Sequence, residues 1–195
     1  MKIERWRCAA RAWLLQFLGK NELAYAKYAR LYRLAPSAAV AGRLGFLAAE
    51  TQRPQDSARW FEEAVRLDAG NAQAWFNLGF VRERNGERRA AIAAFREAVR
   101  LAPELDRAWY GMGLAHAALG EHAEAAQAFE ENVRRQTMFG DAWFQLGMAH
   151  HHARNPERVA EIVRRLRTFE PKRANQLIRD TGRGDLAHLH SELPF

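Results

Sequence analysis

The sequence predicts an all-α protein, an α-solenoid in which antiparallel helix pairs stack side by side. Three observations support this fold class. A spacing of ring, glycine, small residue and phenylalanine recurs every 34 residues. Within each segment, apolar residues recur at steps of three and four, which places them on one helical face. No segment stands out for the strict apolar–polar alternation that is typical of a half-buried strand.

The 34-residue register can be followed through four segments of the chain. The glycine position holds Gly45, Gly79, Gly113 and Gly147. The ring position, four residues earlier, holds Ala41, Trp75, Trp109 and Trp143. The small position holds Ser57, Ala91, Ala125 and Val159. The phenylalanine position holds Phe61, Phe95, Phe129 and Val163.

By these residues the segment from Ala38 to Arg173 resembles the tetratricopeptide-repeat family. The resemblance divides it into four repeats, 38–71, 72–105, 106–139 and 140–172. It also implies that the helix pairs wind into a right-handed superhelix. The outer repeats depart most from the pattern, with Ala41 in the first and Val159 and Val163 in the last.

Each repeated position has a predicted role. The glycine removes a side chain where the two helices of a repeat cross, and packing must offset the roughly 1 kcal/mol that glycine costs relative to alanine in a helix. The small residue is expected to face that glycine. The tryptophan and the phenylalanine are expected to fill the space between one repeat and the next. Breaker residues predict the turns at Arg53-Pro54, Asn85-Gly86, Leu119-Gly120 and Asn155-Pro156.

Divergent segments are expected at both ends of a single domain, 1–183, because terminal repeats cap a stack. The predicted limits are 3–36 for a divergent first helix pair, 173–180 for a capping helix and 184–195 for a loose or docked tail. Proline cannot donate the hydrogen bond of a helix interior. We therefore expect Pro36, Pro103 and Pro171 to end second helices.

The first residues combine a basic start with an apolar stretch at 12–18, as a signal peptide does. Arg11 interrupts the apolar character, and Gly19 follows as a turn residue. We therefore expect a structural first helix rather than a cleaved signal. Its aromatic and basic residues leave open a second possibility, a helix that lies on a membrane surface.

The formal net charge of +7 is concentrated at the two ends. Residues 1–36 contain eight Lys and Arg against two acids, and residues 154–183 contain nine against four. Such ends can attract an acidic partner or an anionic membrane surface, or simply solvate the protein. Three repeated helical pairs are expected to form ion pairs on the surface, Glu63 with Arg66, Glu97 with Arg100 and Glu131 with Arg134.

The sequence contains no pattern that indicates catalysis. It has no phosphate-binding glycine loop, no His-Glu-x-x-His and no Gly-x-Ser-x-Gly. Cys8 is the single cysteine, which excludes an internal disulfide and fits a reducing compartment. His150, His151 and His152 point about 100° apart on a helix, so they do not form a shared metal site. We expect no enzyme activity, no cofactor and no metal.

The family resemblance implies where a partner binds. In tetratricopeptide proteins the first helices of the repeats line a concave groove that holds an extended peptide or a helix. Carrying the groove positions over to this chain gives the following candidates: Arg43, Phe46, Gln73, Phe76, Asn77, Phe80, Arg84, Arg107, Tyr110, Leu114, Asp141, Phe144, Gln145, Met148, His151 and His152. Aromatic residues and arginine are enriched at binding hot spots, which favours this surface.

Some members of the family grip a C-terminal carboxylate with lysine, asparagine and arginine at fixed groove positions. Asn77 and Arg107 occupy two of those positions here. The other positions hold Gly42, Phe46 and Gly111, which supply neither charge nor amide. We therefore expect a ligand held by aromatic packing, amide hydrogen bonds and arginine contacts, and not by that clamp.

The sequence thus predicts a non-catalytic bacterial adaptor that binds another protein in the cytoplasm. A membrane-surface assembly factor that uses the N-terminal helix is the first alternative, with a membrane-associated or periplasmic location. Nucleic-acid binding through the basic ends is a lower alternative, because basicity without a binding module is a weak signal. A homo-oligomer stays open, with the divergent first pair and the tail as candidate contact surfaces.

Overall fold

The structure is a computed structural model that describes residues 2–189, and these residues form helices and turns without a strand. The α-helices are α1 (Lys2–Phe17), α2 (Asn21–Leu34), α3 (Ala38–Glu50), α4 (Pro54–Leu67), α5 (Ala72–Arg84), α6 (Arg88–Leu101), α7 (Asp106–Ala118), α8 (His122–Arg135), α9 (Gly140–His152), α10 (Pro156–Arg167) and α11 (Pro171–Asp180). A short 3-10 helix, Gly184–Leu189, follows them. Residues 190–195 of the predicted tail lie outside the described residues.

The predicted all-α fold class is confirmed, since consecutive helices pack as antiparallel pairs. The chain divides between Ala102 and Pro103 into two compact units. Unit 1 contains the pairs α1/α2, α3/α4 and α5/α6, and neighbouring pairs meet through α2 with α3 and α4 with α5. Unit 2 contains α7/α8 and α9/α10, with α11 packed on both α9 and α10. None of the helices in residues 2–189 combines the length and the apolar character needed to cross a bilayer.

In the first three repeats the glycine lies directly under the phenylalanine of its own helix pair. A Cβ atom built on Gly45 would lie 2.9 Å from the ring of Phe61, and one on Gly79 would lie 2.7 Å from the ring of Phe95. The ring covers the bare backbone that glycine exposes, where the two paired helices approach each other closely. Phe61 and Phe129 also belong to core clusters that include Leu78 and Leu146 of the following repeats.

The small residue also contacts this crossing, as predicted for it. Ser57 is fully buried, and its hydroxyl donates a 2.8 Å hydrogen bond to the Gly45 carbonyl oxygen. Ala91 and Ala125 occupy the same position in the next two pairs and are also fully buried. We call the glycine, the phenylalanine that covers it and the buried small residue of the same pair the packing group.

The last repeat replaces this group with a contact from α11. Val163 stands at the phenylalanine position, and Leu177 of α11 instead packs against Gly147. Pro171 was expected to end the preceding helix, but α10 already ends at Arg167 and Pro171 is the first residue of α11. Proline suits this first turn, where its missing N–H is not needed. The terminal helix therefore supplies the apolar side chain that the last pair lacks.

The tryptophan of the ring position anchors each first helix to the loop before it. The indole N–H groups of Trp75, Trp109 and Trp143 each donate a 2.9 Å hydrogen bond to a carbonyl oxygen six residues earlier. The acceptors belong to Ala69, Pro103 and Thr137. This recurring bond satisfies the indole donor and fixes the entry of the chain into the helix.

The turn inside each pair contains one residue in the left-handed backbone region. It is Gly19, Gly86 or Gly120 in three pairs, with φ of 69°, 80° and 76°. Gln52 and Arg154 occupy the same turn position in the other two, with φ of 58° and 57°. A residue with a Cβ atom pays roughly 1–2 kcal/mol there. The αL turn is thus imposed by the helix pair even where the sequence lacks glycine.

The three predicted surface ion pairs are all present. Arg66 lies 2.6 Å from Glu63, Arg100 lies 2.9 Å from Glu97, and the Arg134–Glu131 pair spans 2.5 Å. Hydrogen bonds from Arg66 and then from the Tyr32 hydroxyl lower the pKa of Glu63 to about 2. Because Tyr32 lies on α2 and Glu63 on α4, this contact also joins the first helix pair to the second.

We expect Gly79→Ala to lower the free energy of unfolding by about 1–3 kcal/mol, because the added methyl group would overpack against Phe95. Gly42→Ala is the matched control on a first helix, since no atom lies within 4 Å of the added Cβ. That control should be neutral or stabilising by up to about 1 kcal/mol. Urea unfolding followed by circular dichroism measures both, and equal shifts in the same direction would contradict this account.

Candidate peptide-binding surfaces

The candidate residues of unit 1 lie on the two first helices α3 and α5. Arg43 and Phe46 belong to α3, and the α5 candidates are Gln73, Phe76, Asn77, Phe80 and Arg84. Phe46 and Phe80 stand at the same position of consecutive repeats, and their side chains are 47% and 49% exposed. Repeated exposure of a large ring is unusual for a helix whose other face is buried. We define α3 and α5 with these side chains as the unit 1 surface.

A cleft of about 280 Å³ opens on the unit 1 surface beside the Phe80 ring. Its lining comes from the ends of α3 and α5, from the turn after α3 and from the start of α4: Ala49, Gln52, Pro54, Phe80, Val81, Arg84 and Asn85. Apolar atoms predominate in this lining, with the arginine, glutamine and asparagine side chains among them. A cleft with mainly apolar walls and a few polar groups is suited to one side chain of a ligand.

The Phe80 ring is held in place by its neighbours. Phe76, one turn earlier on α5, stacks on Phe80 with 6.4 Å between ring centroids. Phe76 in turn contacts the buried Phe95 at 6.0 Å, which links the exposed ring to the core. On the other side, the Arg84 guanidinium lies 5.9 Å from the Phe80 centroid. The ring is therefore exposed but pre-organised, which lowers the entropy cost of using it in binding.

Two amide side chains of the unit 1 surface are hydrogen-bonded to each other. Gln73 donates to the side-chain oxygen of Asn77 at 2.9 Å, one turn apart on α5. This bond uses the oxygen of Asn77, so its NH₂ group is the part of that side chain suited to donate to a ligand carbonyl. Arg43, further away on α3, is exposed.

The candidate residues of unit 2 are packed more tightly than those of unit 1. Arg107 is exposed, whereas Tyr110 and Leu114 on α7 are half-buried and belong to the edge of the unit 2 core. The Tyr110 ring contacts Phe129 at 5.7 Å and Phe139 at 5.2 Å between centroids. Burial, together with the nearby Asp141 carboxylate, raises the pKa of the Tyr110 hydroxyl. Tyr110 therefore has a structural role in the core of unit 2.

On α9, the candidates Phe144, Gln145 and Met148 are covered in part by α11. The Arg173 guanidinium of α11 lies 5.6 Å from the Phe144 ring centroid and pairs with Asp141. The three candidates line a cleft of about 310 Å³ together with Ala117, His122, Ala149, His152, Gln176 and Asp180. Gln176 and Asp180 of α11 therefore form part of the wall of this cleft.

Several lining residues were missed by the sequence analysis. In unit 1 they are Ala49 and Val81 on the first helices, Gln52 and Asn85 at turns, and Pro54 at the start of α4. In unit 2 they include His122, which stacks on His152 with 4.6 Å between centroids. Gln52 occupies the turn position where other helix pairs have glycine, and this repeat position was a signal for it in the sequence. No signal in the sequence places His122 next to His152, because they belong to different repeats.

The histidines of unit 2 interact with acidic side chains inside the fold. His116 is buried, and its Nδ1 lies 2.7 Å from a Glu121 oxygen. His150 lies 3.5 Å from Glu130, which also pairs with Arg158. Burial lowers the pKa of His150, and the Glu130 carboxylate opposes this shift. Within residues 2–189, no three His, Cys, Asp or Glu side chains are grouped so that they could hold a metal ion.

Comparison with solved structures places this fold among known proteins. A crystal structure of MamA superposes with a TM-score of 0.79 at 22% identity, covering 100% of both chains. YrrB, a TPR protein with an unusual peptide-binding site, gives 0.76 at 21% identity over 88% of each chain. PilF of Pseudomonas aeruginosa gives 0.69 at 17% identity over 97% of this chain and 93% of its own. At identities of 17–22%, the similarity to these structures shows a shared fold alone.

Sequence comparison identifies the repeats directly. Residues 76–140 match the tetratricopeptide-repeat family model. No curated protein matches the chain at a significant level. The matched segment includes the glycine and phenylalanine packing groups of α5/α6 and α7/α8. Residues 76–140 thus have the sequence of tetratricopeptide repeats, and the described residues have the fold of the solved tetratricopeptide-repeat structures.

Proposed function

We propose that this chain is a non-catalytic adaptor whose unit 1 surface binds an extended peptide or a helix of a partner protein. The observation that carries the proposal is the exposure of Phe46 and Phe80, 47% and 49%, at the same position of two consecutive repeats. Tetratricopeptide-repeat proteins typically mediate protein–protein interactions and generally lack catalytic activity. Repeat proteins commonly bind through the surface that their stacked repeats share.

The cleft beside Phe80 supports a ligand of defined chemistry. Its mainly apolar walls suit an aromatic or aliphatic side chain of the ligand. Arg84 lies at the same cleft and supplies a cation, which suits an acidic side chain or a carbonyl oxygen next to that anchor. The Asn77 NH₂ group one turn earlier can donate to the ligand backbone. The proposed ligand is therefore a segment with one apolar anchor and a neighbouring acidic group.

Unit 2 is proposed as the weaker contributor. Tyr110, Leu114, Phe144, Gln145 and Met148 are all partly buried, so they offer a ligand less surface than Phe46 and Phe80 do. YrrB shares the fold and has a peptide-binding site, which supports peptide binding here by analogy only. We further propose the bacterial cytoplasm as the location, with the periplasm as the alternative. The single cysteine, buried Cys8, supports a reducing compartment.

Peptides selected from a random display library on the wild-type chain should carry an apolar anchor beside an acidic residue. Phe80→Ser should weaken a selected peptide by about tenfold or more, as truncation of a hot-spot ring does. Leu67→Ser is the matched control, because Leu67 is 38% exposed but lies at the end of the second helix α4. Fluorescence polarisation measures both. Peptides that bind Phe80→Ser as tightly as wild type, or a failure to select any peptide, would count against the proposal.

The two surfaces should respond differently when a ring is replaced by a charge. Phe80→Glu should leave the thermal midpoint nearly unchanged, since half of this side chain is already in water. Tyr110→Glu should lower the free energy of unfolding by about 2 kcal/mol or more, because a carboxylate would replace a ring packed on Phe129 and Phe139. Thermal unfolding of the two variants measures this difference. Equal thermal midpoints for Tyr110→Glu and Phe80→Glu would contradict the structural role of the Tyr110 ring.

A further inference from the structure

The first helix is apolar on two opposite sides. On one side, Cys8 and Ala12 are buried against Ala24, Tyr28 and Leu31 of α2. On the other side, five large side chains are exposed to solvent by 49–75%: Ile3, Trp6, Trp13, Leu14 and Phe17. At 3.6 residues per turn these five fall within one sector of about 100°, which we call the outer face of α1.

The outer face is unusual for a helix of a folded domain. A single exposed apolar residue is normal, but a contiguous set of large ones indicates an interaction surface. Since α1 already packs on α2 through its inner side, the core of unit 1 leaves the outer face uncovered. Trp13 and Phe17 stack with 5.6 Å between centroids and 14° between planes, so these two rings are held in a fixed arrangement.

The charges around the outer face are positive. Arg7 and Arg11 are exposed and lie along one edge of the face, next to Leu14. Residues 1–36 contain eight Lys and Arg against two acids, and both acids are paired with arginines. Glu4 pairs with Arg30, and Glu22 pairs with Arg53. The surface next to the exposed rings is therefore cationic.

We propose that the outer face of α1 binds the surface of an anionic lipid bilayer. Tryptophan and phenylalanine suit the boundary between headgroups and acyl chains, and arginines beside them suit anionic headgroups. The helix needs no rearrangement to bind, because its inner side stays packed on α2 while the rings enter the interface by roughly 5–10 Å. This attachment is separate from the unit 1 surface and does not depend on peptide binding.

A second copy of the chain fits the outer face less well. In a twofold contact this cationic patch meets a copy of itself. It offers Arg7 and Arg11 of the other copy no unpaired acid from residues 1–36, because Glu4 pairs with Arg30 and Glu22 pairs with Arg53. Like charges brought together in a desolvated contact oppose association. An anionic bilayer instead supplies the opposite charge over the whole patch. The charge pattern therefore selects the membrane surface over self-association.

Flotation with vesicles of phosphatidylcholine, with and without phosphatidylglycerol, tests this proposal. The wild-type chain should float with the anionic vesicles at low salt and be released as the salt concentration rises. The double variant Trp6→Ser/Phe17→Ser should reduce the bound fraction by about tenfold or more, because the rings supply the apolar contact. Arg7→Gln/Arg11→Gln should bind more weakly and depend less on salt. Phe80→Ser is the matched control, an exposed ring on another helix, and should float like wild type.

Three results would overturn the proposal. The first is a wild-type chain that does not float with anionic vesicles at low salt. The second is a Trp6→Ser/Phe17→Ser variant that floats as well as wild type while circular dichroism shows both to be folded. The third is a concentration-dependent dimer in sedimentation that this double variant loses, without flotation of the wild type; it would assign the outer face to a second copy.

Discussion

The close approach of a glycine backbone and a phenylalanine ring inside the pairs α3/α4, α5/α6 and α7/α8 is the contact on which the repeated fold depends. A Cβ atom on Gly45, Gly79 or Gly113 would lie within 2.9 Å of such a ring, so no other residue fits without a shift. Glycine is costly in a helix, and only the packing that it permits can offset the cost. The crossing of the helices then fixes which faces are buried and which remain for a partner.

The faces left over differ between the two units, and the difference has a structural cause. In unit 1, the first helices α3 and α5 carry Phe46 and Phe80 outward, and the exposed Arg84 lies beside the Phe80 ring. In unit 2, α11 supplies Leu177 to Gly147 and brings Arg173 over Phe144. The helix that completes the last packing group thus also covers part of the surface on its own unit. The packing of α11 thus stabilises the last helix pair and reduces the exposed surface of α9 that a ligand could contact.

The sequence predicts the repeated parts of this structure well, because identical spacing produces identical local geometry. The helix pairs and the surface ion pairs follow from period and residue type. The direction in which Phe95 packs does not follow, since a ring at that position can reach either its own pair or the next. In the last repeat, Leu177 takes the place of the phenylalanine ring over Gly147. It belongs to the following helix α11, outside the 34-residue register, so the register does not predict this contact.

The candidate surfaces show the same limit. Phe46 and Phe80 are recognisable in the sequence because both occupy the same repeat position, but exposure depends on what the rest of the unit places over them. Gln52 lines the Phe80 cleft from a turn position with the left-handed backbone that glycine adopts in other pairs, and the groove positions of the repeat do not include it. The outer face of α1 is visible in the sequence as an aromatic stripe. The opposite side of α1 is also apolar, and only the structure shows that this second side is buried against α2.

A double-mutant cycle between Gly79→Ala and Phe95→Leu tests the central packing contact most directly. If the ring of Phe95 lies over Gly79, the smaller leucine should make room for the methyl group, and the two effects should be coupled by about 1 kcal/mol or more. The same cycle with Phe61→Leu, from the preceding pair, should be additive. If Gly79→Ala is instead additive with Phe95→Leu and coupled to Phe61→Leu, the ring over Gly79 comes from the preceding pair, which would contradict the proposed contact.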